Sequence, residues 1–274
     1  MSCVFLSLCL SIWNTKYPNG LRVLRDISPE LLHAVRDAGY PYKSRRWERH
    51  DGTGIMNADE SLLAEDQKDL EPIGIRRSKL QKVLYHYARF QGIKVHFQTP
   101  LANAVERDDG LVEVTFGDGT KRLTKVLFGA DGALGKSRSL VAGADEPALK
   151  YTGVTCLMGL SRCRCDGIYF PSSETDDFHA VFFPTGENET CFQFHVPVSE
   201  DQADSLNWGN LSQQVGQEEC RKIAETLRAE GWHQKYIDPL ENLIQAVRIG
   251  FALLEPPLDK WVKGHIALVG DAAQ

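Results

Sequence analysis

Two short apolar segments of this chain each run into a turn of small residues with one aspartate at its tip. The first, residues 126–138, reads Val-Leu-Phe-Gly-Ala-Asp-Gly-Ala-Leu-Gly-Lys-Ser-Arg, and the second, residues 266–274, reads Ile-Ala-Leu-Val-Gly-Asp-Ala-Ala-Gln. In open α/β sheets, turns at the carboxyl ends of strands bind nucleotides, because a carboxylate and backbone N–H groups are free to contact the ligand. Two such turns predict a large nucleotide cofactor that is held at two places.

The first turn also fits a phosphate-binding loop. Residues Ala130 to Ser137 match the G-x-x-x-x-G-K-[ST] pattern, except that Ala130 stands where the pattern requires glycine. In a nucleoside triphosphatase, Lys136 would bind the terminal phosphates and Ser137 the metal ion. The missing glycine, the position of the loop in the middle of the chain and the lack of a catalytic acid after the second turn make this a distant alternative.

Four segments resemble, in the same order along the chain, motifs of the FAD-dependent aromatic hydroxylases, which are class A flavoprotein monooxygenases such as salicylate and para-hydroxybenzoate hydroxylases. Tyr17-Pro-Asn-Gly-Leu-Arg-Val-Leu24 resembles the stretch after the first βαβ unit of the family, and Ile75-Arg-Arg-Ser-Lys-Leu80 its I-x-R-x-x-L segment. Gly129-Ala-Asp-Gly132, with Arg138 six residues later, resembles the D-G motif, and Leu268-Val-Gly-Asp-Ala-Ala273 resembles the G-D motif.

The resemblance implies an α/β fold with an incomplete FAD-binding Rossmann-like domain and a second, mixed-sheet substrate domain. Residues 1–43, 76–144 and 255–274 would form the FAD-binding domain, and residues 44–75 and 145–254 the substrate domain. It also implies a reaction in which NAD(P)H reduces FAD, O2 adds to give a flavin hydroperoxide, and one oxygen is transferred to an electron-rich ring. A small aromatic or polyketide-like substrate is expected, with no metal ion. Because the cofactor carries the hard step, no side chain can be named as catalytic.

The resemblance implies seven FAD-binding residues: Arg77, Leu101, Asp131, Gly132, Gly270, Asp271 and Ala272. Asp271 would hold the ribityl chain, Asp131 would accept from cofactor hydroxyls, and the small residues would allow close approach. Arg77 would approach the flavin and pyrophosphate, and the backbone of Leu101 would meet the adenine. Each assignment has an alternative. Asp131 and Asp271 could only stabilise their turns, Leu101 could belong to the core, and Arg77 could be a surface arginine. Arg138 could cap the D-G segment or be solvated.

The chain departs from the family in three respects. It has no G-x-G-x-x-G, Gly135 replaces the usual serine of the D-G motif, and Gln274 stands where histidine normally follows G-D-A-A. We therefore expect a fragment truncated at both ends, inactive by itself and with at most weak FAD binding. A non-catalytic remnant without cofactor is the alternative.

Composition constrains partners and compartment. A formal net charge of −6 disfavours nucleic-acid binding, and 42% hydrophobic with 25% charged residues is typical of globular domains. The apolar run from Cys3 to Trp13 is too short to span a bilayer and lacks the basic start of a signal peptide, so we expect a cytoplasmic protein without a membrane span. Seven cysteines without C-x-x-C spacing indicate free thiols.

Periodicity and turn signals predict the main elements. Helices are predicted over residues 29–38, 77–90 and 217–229, and a strand hairpin within residues 44–75. Strands are also predicted over residues 93–97, 111–116, 125–128, 151–163, 178–184 and 190–198. The aromatic segments Phe182–Pro184 and Cys191–Phe194 lie in two of these strands and are equally consistent with a substrate pocket or with plain core.

Overall fold

The fold is described from a computed structural model of the chain, in residues 9–12, 19–59, 69–143, 146–173 and 179–273. It is a mixed α/β fold with one large mixed sheet, which confirms the predicted class. The chain divides into two compact units. The first comprises residues 1–94 and 153–250, and the second comprises residues 95–152 and 251–274. The domain boundaries proposed above stay a prediction.

Helices and strands alternate irregularly along the chain. The helices within the described residues are α1 (Asn19–Ile27), α2 (Pro29–Ala38), α3 (Arg77–Phe90), α4 (Ser137–Ala142), α5 (Glu200–Ala203), α6 (Gln213–Ala229) and α7 (Gln234–Glu241). The strands are β1 (Cys9–Ile12), β2 (Tyr40–Pro41), β3 (Ser44–Arg49), β4 (Gly54–Asp59), β5 (Ile73–Arg76), β6 (Leu101–Glu106), β7 (Val112–Phe116), β8 (Lys121–Thr124), β9 (Leu127–Gly129), β10 (Ala148–Ser161), β11 (Ile168–Ser172), β12 (His179–Gly186), β13 (Glu189–Pro197), β14 (Gly209–Asn210), β15 (Leu243–Glu255), β16 (Val262–Lys263) and β17 (Ile266–Leu268).

The large sheet has eight strands in the order β14-β15-β10-β13-β12-β11-β3-β4. Strands β11 and β3 are parallel, whereas β10 with β13, β13 with β12, and β12 with β11 pair antiparallel. Because successive side chains of a strand point to opposite faces, each strand supplies two cores. Phe182, Phe192 and Phe194 are at most 1% exposed and pack with α6 and α7. Phe183 and Cys191 belong to the cluster on the other face. The three phenylalanines are therefore core.

The first unit has a second, smaller core around the three-stranded sheet β1-β5-β2. Helix α2 begins as the sequence predicts, because the Ser28 hydroxyl accepts from the backbone N–H of Leu31 at 3.2 Å and Pro29 occupies the first turn. Its apolar face packs on β5 through buried aliphatic side chains: Leu31, Leu32, Val35, Ile73 and Ile75. Helix α3 has the predicted bounds of Arg77 and Phe90.

The second unit contains two three-stranded sheets. One is the antiparallel meander β6-β7-β8, and the other has the order β16-β17-β9 with β17 and β9 parallel. Helix α4 follows the turn after β9. A common apolar core joins them through Val112, Val114, Val141, Ile266 and Leu268.

Three details of the secondary-structure prediction are wrong. Residues 93–97 form no strand; Ile93 and Phe97 are 59% and 63% exposed, and no described strand pairs with this segment to complete its backbone hydrogen bonds. The strand predicted over residues 125–128 begins only at Leu127, after the Thr124 hydroxyl donates to the carbonyl of Val126 at 2.9 Å. Helix α6 starts at Gln213, because Ser212 supplies the cap.

Two further observations concern the predicted compartment. Among the described residues, no helix has both the length and the apolar character needed to cross a membrane. The five cysteines within the described ranges are free thiols, four of them buried. Burial raises the pKa of Cys156, Cys165 and Cys220 to about 12, which leaves these thiols protonated and unreactive at neutral pH.

Candidate functional site

The two aspartate turns lie next to each other in the second unit. Strands β9 and β17 run parallel, with Leu127 opposite Ile266 and Gly129 opposite Leu268. The backbone N–H of Val269 continues the ladder by donating to the carbonyl of Gly129 at 2.9 Å. Because both strands run in one direction, the turns that follow them emerge at the same edge of the sheet.

The first turn closes on itself through Asp131. Its carboxylate accepts the backbone N–H of Ser137 at 2.9 Å and also the hydroxyl of Ser137. A Cβ added at Gly135 would overlap the Asp131 carboxylate, so the serine usual in the family could not be placed here without moving it. Gly132 has φ +83°, a conformation that favours glycine. The sequence departure at position 135 thus leaves room for the Asp131 carboxylate in its contact with Ser137.

The same contacts weaken the nucleoside-triphosphatase alternative. Ser137 is fully buried, and its hydroxyl donates to Asp131. A phosphate-binding loop needs that hydroxyl for Mg²⁺. The geometry of the turn gives this alternative no support.

The second turn presents its aspartate outward. Residues Gly270–Ala272 form a short 3-10 turn in which Gly270 has φ +59° and Ala272 is fully buried. Asp271 is exposed, and its carboxylate has no hydrogen bond or ion pair within the described residues. A Cβ added at Gly270 or Gly132 would meet no atom within 4 Å, so there is open space beside both turns. A ligand can reach the Asp271 carboxylate and the neighbouring backbone.

Arg138 joins the two turns, a role that the sequence analysis missed. It is 2% exposed, which excludes a solvated side chain. Its guanidinium donates to the carbonyl of Ala133 at 2.7 Å, of Asp271 at 2.8 Å and of Ala272 at 3.1 Å. The spacing of six residues from Gly132 to Arg138 marked the D-G motif, but nothing in it indicated the contact with the second turn.

A cleft of about 580 Å³ opens beside the first turn. Its lining includes Leu101 and Phe116 together with Gly129, Asp131 and Ser137. The structure therefore brings Leu101, the residue implied to meet the adenine, and Asp131 to one concave surface. Apolar walls with a few convergent polar groups are typical of cofactor and small-molecule sites.

Arg77 lies in the first unit, at the start of α3. The preceding Arg76 already has a partner within the protein, because its Nε donates to the Glu189 carboxylate at 2.7 Å. Arg77 is exposed and makes no ion pair or hydrogen bond within the described part of the chain. Of the two neighbouring arginines, Arg77 is therefore the one available to a ligand.

Comparison with known proteins supports the resemblance drawn from the motifs. No protein-family model matches the chain. The chain is 29% identical over 177 residues to 6-hydroxynicotinate 3-monooxygenase of Bordetella bronchiseptica, covering 61% of this chain and 42% of the relative. It is 29% identical over 278 residues to FAD-dependent urate hydroxylase of Mycolicibacterium vanbaalenii, covering 96% of this chain and 63% of the relative. The chain thus spans between two fifths and two thirds of these relatives.

The fold agrees with the same class. The structure of Klebsiella pneumoniae HpxO complexed with FAD and uric acid matches with a TM-score of 0.73 at 23% identity, covering 97% of this chain and 64% of HpxO. One sequence relative is named for hydroxynicotinate, whereas the other is named for urate and the structural neighbour is described with uric acid. The chain is thus similar in sequence to a monooxygenase and to an FAD-dependent hydroxylase, and it shares the fold of a protein solved with FAD bound, in agreement with the resemblance of its motifs.

Proposed function

We propose that this chain binds FAD through its two aspartate turns and forms part of a monooxygenase that hydroxylates a small aromatic or heterocyclic substrate. The observation that carries the proposal is the parallel pairing of β9 with β17, which sets the exposed Asp271 carboxylate next to the D-G turn. The sequence relatives, both named as monooxygenases or hydroxylases, support the same reaction class.

The residues present fit the chemistry of FAD. The Asp271 carboxylate would accept hydrogen bonds from ribityl hydroxyls, and charge-assisted bonds of this kind are short and strong. Gly132 and Gly270 leave open space in which the cofactor can approach the backbone. The apolar wall at Leu101 and Phe116 suits a flat ring such as adenine. On the family resemblance alone we also propose Arg77, an exposed cation of the first unit without a partner among the described residues, for the flavin and pyrophosphate.

The two aspartates would have different tasks. Asp131 uses its carboxylate to hold Ser137 and so fixes the shape of the first turn, leaving only its remaining lone pairs for a ligand. Asp271 has its whole carboxylate available. When bound, FAD would supply the activation of O2 that aromatic hydroxylation needs. The protein's own residues would bind and orient it.

The proposal also includes an electron donor and a class of substrate. We propose NAD(P)H as the electron donor, as the family resemblance implies. The two sequence relatives are named for hydroxynicotinate and urate, which are small nitrogen heterocycles, and HpxO is described with uric acid. We therefore favour a planar heteroaromatic substrate over a polyketide-like one.

Titration of the purified chain with FAD tests the proposal. Saturable quenching of flavin fluorescence is expected, with FMN a weaker ligand because it lacks the adenosine half that the Leu101 cleft would accept. Unchanged FAD fluorescence at high protein concentration would overturn FAD binding. Binding of Mg²⁺-ATP that is lost in Lys136→Ala would instead support the nucleoside-triphosphatase alternative.

A further inference from the structure

Arg138 is the most deeply buried cation of the second unit. Its side chain is 2% exposed, and it makes no ion pair with a carboxylate within the described residues. Removing a guanidinium from water costs several kcal/mol unless its donors find partners. Here three backbone carbonyls are those partners, at 2.7–3.1 Å. Such bonds to a charged donor are stronger than neutral ones.

The three carbonyls belong to two turns that are far apart in sequence. Ala133 follows Asp131 in the first turn, whereas Asp271 and Ala272 form the second. The planar fork of a guanidinium can hold several acceptors at fixed angles, which a lysine ammonium cannot do. Arg138 thus links the backbone of the first turn, two residues after Asp131, to the backbone of Asp271 and Ala272 in the second turn.

We propose that Arg138 is a positioning residue that locks the two turns together and thereby sets the direction of the Asp271 carboxylate. This inference rests on the proposed function, since it assigns to Arg138 an effect on FAD binding without contact with FAD. Because the guanidinium holds the carbonyl of Asp271 itself, a small movement of that backbone would redirect the carboxylate. Pre-organised turns need no ordering when the ligand binds, which favours affinity.

Hydrogen exchange of the backbone amides in the two turns tests directly whether Arg138 holds the turns together. In the first turn, Gly135 N–H donates to Gly132 and Ser137 N–H donates to Asp131; in the second, Ala273 N–H donates to Gly270. Their hydrogen exchange measures local opening without any ligand. The β6-β7 hairpin of the same unit, residues 101–116, supplies a reference to which the Arg138 guanidinium donates none of these hydrogen bonds.

The experiment compares the full chain with Arg138→Lys, Arg138→Met and the control Arg107→Met by hydrogen-exchange mass spectrometry and by FAD titration. Arg107 is a surface residue of the same unit, 46% exposed and paired with Asp109. We expect both Arg138 variants to exchange faster at residues 131–137 and at residues 269–273, with the hairpin unchanged. Their FAD affinity should fall about tenfold or more, the loss expected for a misdirected charge-assisted bond, while Arg107→Met matches the parent chain.

Arg138→Lys keeps the charge and is the decisive variant if Arg138→Met fails to fold. The proposed link between the turns would be overturned if Arg138→Lys exchanged faster in only one of the two turns. It would also be overturned if exchange rose equally in the hairpin. Loosened turns with unchanged FAD affinity would overturn the positioning role. If the parent chain binds no FAD, the proposed function fails, and the exchange pattern still decides whether Arg138 joins the turns.

Discussion

Ser137 donates both its backbone N–H and its hydroxyl to the carboxylate of Asp131, six residues earlier in the chain. This pairing separates the two aspartates that looked alike in the sequence. Both are exposed, but the Asp131 carboxylate is engaged by Ser137 and shapes its own turn, whereas the Asp271 carboxylate has no partner in the described residues. The first is therefore a residue of the scaffold, and the second is the stronger candidate for a ligand contact.

Gly135→Ala should destabilise the first turn. The new Cβ would overlap the Asp131 carboxylate and force it away from Ser137, whose buried hydroxyl would then lose its acceptor. Leaving a buried polar group unsatisfied costs about 1–3 kcal/mol. Chemical denaturation of the variant should show this loss, together with weaker FAD binding.

Gly54→Ala is the matched control, because a Cβ there would meet no atom within 4 Å. It should leave the free energy of unfolding almost unchanged. Equal stabilities for Gly135→Ala and the parent chain would show that Asp131 does not hold the turn in the way described.

Phe192 and Gln193 are neighbours on β13 that face opposite sides of the large sheet. Phe192 is fully buried and packs against Gly159, where even one added methyl group would overlap its ring. Phe192→Ala should lower the free energy of unfolding by about 3–5 kcal/mol, through lost burial and the cavity that remains. Gln193→Ala, at a half-buried position, should cost less than about 1 kcal/mol. Urea denaturation of both variants tests the assignment of faces, and similar losses would refute it.

Glu219 on α6 binds the buried Arg248 of β15, with 2.6 Å between Oε2 and Nη2. Burial by itself would raise the pKa of Glu219, but the hydrogen bond and the charge of Arg248 outweigh it and the pKa lies below the ordinary value of 4.5. A carboxylate with a lowered pKa in the folded state stabilises the fold above its ordinary value, and this stability is lost as the pH falls through the lowered pKa.

Glu219→Gln should therefore lower the free energy of unfolding at pH 7 by about 1.5–3 kcal/mol, the worth of a hydrogen bond to a charged group. The difference from the parent chain should shrink as the pH is taken below 4.5. Glu218→Gln, which affects an exposed pair with Arg221, should leave the free energy of unfolding almost unchanged. A loss for Glu219→Gln that stays constant from pH 7 to pH 4 would contradict this account.

Local signals in the sequence predicted much of the fold. Ser28 and Pro29 fixed the start of α2, and the apolar stripe of residues 77–90 fixed the bounds of α3. The residues 93–97 have the composition of a strand but form none among the described strands, because a strand also depends on a neighbour that composition does not reveal. Strand β6 was not predicted, since Leu101–Glu106 lacks the alternation of apolar and polar residues.

The candidate site was predicted in its parts and not in its connections. The sequence indicated two strands that each lead into an aspartate turn, whereas their parallel pairing was seen only in the structure. The pairing of Asp131 with Ser137 depends on the fold of the first turn, and the burial of Arg138 depends on packing between that turn and residues 271–272. No spacing rule states which of two similar aspartates keeps its carboxylate free.

The affinity of FAD for the chain and for Asp271→Ala, measured by flavin fluorescence titration, tests the central claim most directly. Asp259→Ala is the control, since it removes the same charge from an exposed position of the same unit. We predict saturable binding to the parent chain and to Asp259→Ala, and binding about tenfold or more weaker to Asp271→Ala, because a charge-assisted hydrogen bond is lost while the fold is kept. Equal affinities of Asp271→Ala and the parent chain, with both proteins folded, would contradict the assignment of the outward-facing turn as the flavin-binding one.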